Sequence, residues 1–388
     1  MRKEGLSGVL LAAGIFSLTP CVLADWGPTK RLTWTSSWSL SPAVAVDSSG
    51  VVHLFWYDDN PGNYEIYRLK STDGGTTWTH PRRLAWSLGW SRNPAAAIDS
   101  NDTIHVVWDD DTPGNYDICY RSSTDGGSTW SKVKRLTQTT GSSEYPAIAI
   151  DSNDTIHVVW QDNSSGNYEI YYRESEDGGV TWNAVQKLTW TSGPSSHPTI
   201  ATDPNNSIHL VWQEYTPSIT ATFTIGYKRS TDGGVNWSAA QGLAWNAGIS
   251  SYPSMAIYPS DNIHVVWQNN APGKYEIYYR RSTDGGVTWT TVQRLTWTAG
   301  DTLFPAIAID SNNSIFVVWG DNLSGNYEIY YRNSPDGGVS WGNFTRLTWT
   351  TQWSSEPAIA IDSGASIHVV WQDDTPGNYD IYYRKRSL

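Results

Sequence analysis

The sequence Ser71-Thr-Asp-Gly-Gly-Thr-Thr-Trp78 occurs six times in closely related forms, and the later copies end at Trp130, Trp182, Trp237, Trp289 and Trp341. The interval between copies is 52 residues, except for one interval of 55. A fixed interval of this size indicates a chain built from structural repeats. Residues shared by every repeat are expected to be structural, so functional residues are sought where the repeats differ.

Each repeat has the pattern of four antiparallel strands. In the fifth repeat, residues 252–257 are apolar, 263–268 are β-branched and aromatic, and 275–280 alternate, while 289–297 form the fourth candidate strand. Segments rich in Gly, Pro, Asn and Asp separate these strands, as expected of turns. Four antiparallel strands in about 52 residues predict one blade of a β-propeller.

The blades are counted from the tryptophan of the second strand, which occurs at 56, 108, 160, 212, 267, 319 and 371. These are seven positions, although the Asp-Gly-Gly turn is written only six times. Segment 26–34 (WGPTKRLTW) aligns with segment 341–349 (WGNFTRLTW), which contains a fourth strand. The sequence therefore predicts an all-β, seven-bladed propeller of four-stranded antiparallel blades. Residues 25–34 supply the strand that completes the last blade and closes the ring, which removes exposed sheet edges.

Residues 1–24 have the pattern of a secretory signal peptide. Arg2 and Lys3 precede a short apolar run, and Val22-Leu23-Ala24 is a small-residue cleavage site. We expect cleavage after Ala24, a mature chain of residues 25–388 forming a single propeller domain, and a secreted, cell-surface or periplasmic location. No other segment is apolar and long enough to cross a membrane. The net charge of −12 argues against a nucleic-acid partner.

The repeated motif Ser-x-Asp-Gly-Gly-x-Thr-Trp resembles the Asp-box, or bacterial neuraminidase repeat, of the sialidase superfamily. The resemblance covers essentially the whole mature chain. It implies that the motif joins the third and fourth strands on the face opposite the ligand site, as a marker of the fold. The aspartates to which it gives this structural role are Asp73, Asp125, Asp177, Asp232, Asp284 and Asp336.

Other repeated polar residues are also interpreted as structural. The second-strand histidine is replaced by Phe316 in the sixth repeat, so this is a packing position rather than a metal site. The acids and bases of the third strand, such as Glu276 and Arg280, are expected to form cross-strand or between-blade pairs. Segment 99–103 (DSNDT) is expected to be a β-turn rather than a calcium loop. We expect no metal and no cofactor.

The repeats differ most at two positions that a propeller places around one mouth of its central channel. The first is the residue before the first-strand proline: Ser41, Asn93, Tyr145, His197, Tyr252, Phe304 and Glu356. The second is the pair of residues after the second-strand tryptophan: Tyr57-Asp58, Asp109-Asp110, Gln161-Asp162, Gln213-Glu214, Gln268-Asn269, Gly320-Asp321 and Gln372-Asp373. The acids at the second place of these pairs are the candidate site residues: Asp58, Asp110, Asp162, Glu214, Asp321 and Asp373. Trp38, Trp90 and Trp353 lie near the same mouth. Aromatic faces, amides and carboxylates are suited to binding sugars.

Sialidase chemistry, as the resemblance implies it, needs three arginines around a substrate carboxylate, a Tyr–Glu pair and an aspartic acid. Arg92 precedes Asn93-Pro94 in the expected place for the first arginine, and Asp58 is a candidate acid. Tyr145, Tyr252 and Glu356 are candidates for the pair, but two further arginines at the mouth are not found. The leading prediction is a secreted propeller that binds a glycan or an extracellular protein at the mouth without catalysis. The alternatives are a sialidase-like hydrolase that uses Arg92 and a structural module of the cell surface.

Overall fold

The fold is a seven-bladed β-propeller of four-stranded antiparallel blades, as the repeat predicts. A computed structural model describes residues 26–387, except 61, 113, 217–221 and 245–247. The predicted signal peptide at 1–24 therefore lies outside the described residues. Every regular element in the described part is a strand, and no helix there is long and apolar enough to span a membrane.

The strands are numbered in chain order, four to a blade. Blade one contains β2 (Ser39–Val46), β3 (Val52–Asp58), β4 (Glu65–Ser71) and β5 (Arg82–Arg83), and blade two contains β6 (Ser91–Ile98), β7 (Ile104–Asp110), β8 (Asp117–Ser123) and β9 (Lys134–Arg135). Blade three contains β10 (Ser143–Ile150), β11 (Ile156–Asp162), β12 (Glu169–Ser175) and β13 (Gln186–Lys187), and blade four contains β14 (Ser195–Thr202), β15 (Ile208–Thr216), β16 (Thr222–Ser230) and β17 (Gln241–Gly242). Blade five contains β18 (Ser250–Tyr258), β19 (Asn262–Asn269), β20 (Glu276–Ser282) and β21 (Gln293–Arg294). Blade six contains β22 (Thr302–Ile309), β23 (Ile315–Asp321), β24 (Glu328–Ser334) and β25 (Thr345–Arg346), and blade seven contains β26 (Ser354–Ile361), β27 (Ile367–Asp373), β28 (Asp380–Arg386) and β1 (Lys30–Arg31).

The N-terminal strand closes the ring, as the alignment of 26–34 with 341–349 predicts. Lys30 and Arg31 pair with Tyr383 and Tyr382 of β28. The Arg31 guanidinium lies 2.6 Å from the Asp380 carboxylate, and the Thr33 hydroxyl donates to the same carboxylate at 2.7 Å. Since Asp380 is fully buried, these contacts from the first strand compensate a charge in the last.

The fourth strands are shorter than the sequence predicts. In blade five only Gln293–Arg294 pairs with β20, whereas the pattern indicated 289–297. The flanking residues make isolated backbone bonds to the third strand, from Thr290 to Arg281 and from Leu295 to Ile277. The outer segment therefore follows β20 without a continuous ladder.

The core lies between adjacent blades. The seven second-strand tryptophans are almost completely buried, at 0–1% exposure. Trp267 of blade five belongs to one cluster with Tyr227 and Leu243 of blade four. Each blade thus buries its apolar side chains against its neighbours, which explains why the closed ring is needed.

The Asp-box turns join the third and fourth strands and bond mainly to themselves. The Asp73 carboxylate accepts bonds from the Thr77 hydroxyl at 2.6 Å, the Thr77 amide at 2.8 Å and the Ser71 hydroxyl at 2.8 Å, and these bonds hold the pKa of Asp73 well below its usual value. Gly75 has φ 87° and packs against the Tyr383 ring of the preceding blade, so a larger residue does not fit. The same pattern recurs, which makes the turn a scaffold element.

The repeated histidines connect strands within the scaffold. His105 lies 2.7 Å from the Tyr120 hydroxyl and 3.2 Å from Asp99, and Phe316 stacks on Tyr331 in the corresponding place. The described residues contain no cluster of His, Cys, Asp and Glu suited to a metal ion. Segment 99–103 forms a turn in which the Asp99 carboxylate accepts the Thr103 amide at 2.8 Å.

The third-strand acids and bases do not pair with each other. The acids form cross-strand pairs, and the bases form contacts between blades. The Glu276 carboxylate binds Arg294 of the fourth strand in its own blade at 2.6 Å. The Arg280 guanidinium instead donates to the Leu243 carbonyl of the preceding blade at 2.9 Å. The acids therefore hold the outer strand to its blade, and the bases hold neighbouring blades together.

Candidate functional site at the channel mouth

A backbone bulge interrupts every first strand at the residue before its proline. At this point the register of the first and second strands shifts, as between Leu40 and Ala43 in blade one. The seven residues have φ values between 46° and 54°: Ser41, Asn93, Tyr145, His197, Tyr252, Phe304 and Glu356, here called the bulge residues. A left-handed conformation at a non-glycine residue costs of order 1–3 kcal/mol. The bulge re-aims each side chain, which is a recognised use of β-bulges near functional sites.

The neighbouring blade holds several bulges in place. The residue directly after the second-strand tryptophan accepts a hydrogen bond from the bulge amide of the next blade. The pairs are Gln372 with Ser41 at 2.9 Å, Asp109 with Tyr145 at 3.2 Å, Gln161 with His197 at 3.0 Å and Gln268 with Phe304 at 2.8 Å. The strained backbone is therefore fixed by contacts between blades.

All seven bulge residues line one cavity of about 470 Å³ at the centre of the ring. The prolines that follow them and the Tyr57 ring complete the lining. The structure thus brings together the first set of variable residues that the sequence singled out. We call this space the mouth cavity.

Four consecutive blades give the mouth cavity an aromatic wall. The ring centroids of Tyr145 and His197 are 4.5 Å apart, those of His197 and Tyr252 are 4.6 Å apart, and those of Tyr252 and Phe304 are 4.8 Å apart. Burial lowers the pKa of His197 to about 4, so its imidazole is neutral at pH 7. Its Nδ1 atom is buried and has no hydrogen-bond partner among the described residues. This wall therefore offers apolar faces and one polar atom without a partner.

The other three blades give the cavity a polar wall. The Ser41 hydroxyl donates to the Glu356 carboxyl at 2.9 Å, and burial raises the pKa of Glu356. The Asn93 amide donates to Asp109 at 2.8 Å, and burial raises the pKa of Asp109 to about 7. Carboxyl, hydroxyl and amide groups thus face the aromatic wall.

Arg92 lies behind this polar wall. Its guanidinium stacks 4.1 Å from the centroid of the Tyr116 ring, and its Nε lies 3.6 Å from Asp109. The charged groups that act on it are Asp109 and Glu144, and no arginine or lysine lines the mouth cavity in the described part of the chain. Arg92 is therefore engaged with a carboxylate and is not part of a cationic cluster.

The second set of predicted residues does not line the cavity. Asp58, for example, accepts the Ser39 hydroxyl at 2.7 Å and the Asn60 amide at 2.8 Å. Asp110, Asp162 and Asp373 make the same serine and turn contacts, Asp321 accepts the Leu323 amide, and Glu214 accepts the Trp212 indole. Side chains two residues apart on a strand share a face, so Asp58 points the same way as buried Trp56. These acids cap hairpins.

The residue one position earlier is the one that reaches the site. Tyr57 lines the mouth cavity, and Asp109 and three glutamines at the same place hold the bulges. Both residues of each pair vary between repeats, but the two-residue period of a strand separates the first, which faces the cavity, from the acid, which faces away from it.

Three half-exposed tryptophans, here called the rim tryptophans, lie directly before the first strands that carry the polar bulge residues. Trp38, Trp90 and Trp353 belong to blades one, two and seven, and each packs edge-on against a tyrosine of the preceding blade. They are 47–51% exposed. The blades that supply polar bulge residues therefore supply aromatic surface above them.

Comparisons with known proteins agree with this architecture. A family model described as "BNR repeat-like domain" matches residues 24–197, and another described as "BNR repeat-containing family member" matches residues 136–309. The chain is 27% identical over 250 residues to the xyloglucanase Xgh74A of Acetivibrio thermocellus, covering 57% of this chain and 28% of that protein. It is 24% identical over 380 residues to a xyloglucanase of a Paenibacillus species, covering 86% and 34%. The chain thus spans about a third or less of these relatives.

Solved structures share the fold at low sequence identity. The polysaccharide lyase Uly1 aligns with a TM-score of 0.61 at 11% identity, covering 89% of each chain. The NanB sialidase of Streptococcus pneumoniae aligns with a TM-score of 0.52 at 12% identity, covering 93% of this chain and 71% of that one. The two family models, the six Asp-box turns and the seven blades together identify this chain as a β-propeller built from BNR-type repeats.

Proposed function

We propose that this protein is a secreted propeller that binds glycans in the mouth cavity without catalysis. The observation that carries the proposal is the two-sided cavity, in which an aromatic row faces hydroxyl, amide and carboxyl groups. Aromatic rings stack on the C–H faces of sugars while polar groups bond their hydroxyls. The xyloglucanase, sialidase and polysaccharide lyase relatives bear names of glycan-active enzymes, which supports a glycan as the ligand.

The ligand is proposed to be a neutral sugar. Glu356 lines the cavity and Asp109 lies directly behind Asn93, while the neighbouring Arg92 is already bound to Asp109. A sugar carboxylate would meet these acids without a cation to balance its charge. Neutral sugars are therefore favoured over sialic acids and uronates.

The binding test compares the native protein with the triple variant Tyr145→Ala, Tyr252→Ala, Glu356→Gln on an array of neutral and acidic glycans. Losing two aromatic faces is expected to weaken binding at least tenfold, equivalent to about 1.4 kcal/mol. Val287→Ala on the Asp-box face is the matched control because Val287 is exposed and far from the mouth. If the triple variant binds as tightly as the control, the ligand site is not the mouth cavity.

Glycoside hydrolysis is the competing function, and the raised pKa values of Glu356 and Asp109 favour it. A hydrolase of the usual kind needs two carboxyl groups that reach the substrate. Among the described residues, Glu356 supplies the only carboxyl group that lines the cavity, which supports binding without catalysis. Reducing sugar released from a bound glycan, and abolished by Glu356→Gln, would establish hydrolysis instead.

A further inference from the structure

A set of tryptophans on the outer wall of the propeller is repeated but not buried. Six blades have a tryptophan two residues after the conserved leucine of the fourth strand, and the second blade has Gln138 there. Five of these lie within the described residues and are 64–71% exposed: Trp34, Trp86, Trp190, Trp297 and Trp349, here called the seam tryptophans. The second-strand tryptophans are 0–1% exposed. Burial in the core therefore explains why the second-strand tryptophans are repeated, but it does not explain why the exposed seam tryptophans are repeated.

A cation lies over each seam tryptophan. Three indoles have one charged group at 5.6 Å from the ring centroid: Trp34 has Arg31, Trp190 has Lys228 and Trp297 has Arg294. Trp86 has two, Arg83 at 6.0 Å and Arg121 at 5.7 Å. Trp349 also has two, Arg346 at 5.7 Å and Arg384 at 5.8 Å. Trp86 and Trp349 contact one cation of their own blade and one of the following blade. They therefore mark the seams between blades. A cation over an indole is attracted to the face of the ring, which helps to orient the ring before any ligand arrives.

Blade two shows that the fold does not need the indole. Gln138 replaces the tryptophan there, yet the surrounding cations are unchanged. Arg135 pairs with Asp117 within this blade. Arg173 of blade three donates to the Leu136 carbonyl of this blade at 2.5 Å. The strands of this blade pair as those of the others do. Only the aromatic surface is missing from this seam.

The arrangement of the seam tryptophans selects among possible occupants. They lie on blades one, three, five, six and seven of a closed ring, so they point outwards in different directions. A flat membrane would touch one or two of them at a time, whereas a flexible polymer can cross several. The net charge of −12 repels polyanions at long range. Exposed indoles are suited to stacking on sugar rings, and a repeating polymer matches a repeated site.

We propose that the seam tryptophans form a second, multivalent site that binds neutral polysaccharide chains along the outer wall. Sugar rings stack on the exposed indoles, and the cations hold those indoles in position. Each seam binds weakly, and a chain that reaches several seams binds more strongly through its high effective concentration. This site is separate from the mouth cavity and does not depend on it.

The loss-of-function test is affinity electrophoresis in gels that contain xyloglucan, hydroxyethylcellulose or galactomannan. The variant Trp86→Gln, Trp297→Gln, Trp349→Gln copies the natural Gln138. We expect it to lose at least about tenfold in apparent affinity for a retarding polymer, as multivalent binding requires. Its thermal midpoint should stay unchanged because the replaced rings are exposed. The mouth triple variant should keep its retardation by the polymer, which separates this site from the mouth cavity.

The gain-of-function test is Gln138→Trp, which adds an indole to a seam that already has Arg135 and Arg173. We expect it to raise affinity for long chains about twofold, without changing binding of a short oligosaccharide. The proposal is overturned if no neutral polymer retards the native protein, or if neither tryptophan variant changes the retardation. It is also overturned if carboxymethylcellulose or anionic vesicles bind more strongly than hydroxyethylcellulose.

Discussion

The repeated backbone is held in place by different contacts at the two ends of the central channel. At the Asp-box end, the side chains of Ser71, Asp73 and Thr77 bond one another and their own turn, so their identity is fixed by the turn. At the mouth, all seven bulges have nearly the same φ, but their side chains range from Ser41 to Phe304. Where the side chain supports the backbone, the repeats agree. Where the backbone is supported by a neighbouring blade, the side chain is free to differ.

The largest expected effect comes from removing the closing strand, on which both ends depend. Deleting residues 26–34 leaves the buried Asp380 without Arg31 and Thr33. An uncompensated buried charge costs about 3–5 kcal/mol, and the lost burial of Leu32 adds to this. Urea unfolding measures the loss. A truncated protein with the native midpoint would contradict ring closure by β1.

A methyl group added at an Asp-box glycine should lower the free energy of unfolding more than one added at a glycine in open space. In Gly286→Ala the new carbon collides with the Tyr227 hydroxyl of the preceding blade, at a residue with φ 82°. Overpacking and left-handed strain together are expected to cost about 2–4 kcal/mol. Gly273→Ala is the matched control, since Gly273 has φ 94° but open space around it. Equal losses in the two variants would show that the contact between blades is unimportant.

Acid should destabilise both ends through buried histidines. Burial lowers the pKa of His264 in the scaffold to about 3 and that of His197 at the mouth to about 4. The unfolded chain binds these protons near pH 6.5, so stability present above that pH is lost as the pH falls below it. At pH 5.5 each histidine accounts for about 1.4 kcal/mol of the loss. His264→Phe, which copies Phe316 of blade six, and His197→Phe should each reduce the loss between pH 7.5 and 5.5, measured by urea midpoints, but only His197→Phe should change glycan binding.

The smallest expected effect concerns the strain at the bulges. Tyr252 has φ 50°, so Tyr252→Gly should be more stable than Tyr252→Ala by about 1 kcal/mol. At Ser254, two residues further along β18 and without a positive φ, the order should reverse. Thermal midpoints of the four variants decide the matter. The same order at both positions would show that the bulge does not strain the backbone.

The repeats predicted most of the fold because each strand and turn pattern is local in sequence and occurs in several copies. Seven second-strand tryptophans gave the number of blades, and segment 26–34 gave the closing strand. The predicted length of the fourth strands was wrong because the sequence pattern extends from Trp289 to Trp297, on both sides of the short ladder at Gln293–Arg294. The bulge residues were found as variable positions. Asp58 and its counterparts were misplaced because variation alone does not tell which of two adjacent side chains faces the channel.

The closing strand also has a consequence for how the protein folds. Arg31 and Asp380 are 349 residues apart in sequence, whereas most strand pairs of a blade lie within a few tens of residues. Contacts between distant segments form late because the loop between them must be ordered first. We therefore expect the individual hairpins to form early and β1 to join β28 in the slowest step. Until that step, the last blade keeps an unpaired edge that another chain can occupy, so the speed of ring closure sets the risk of aggregation.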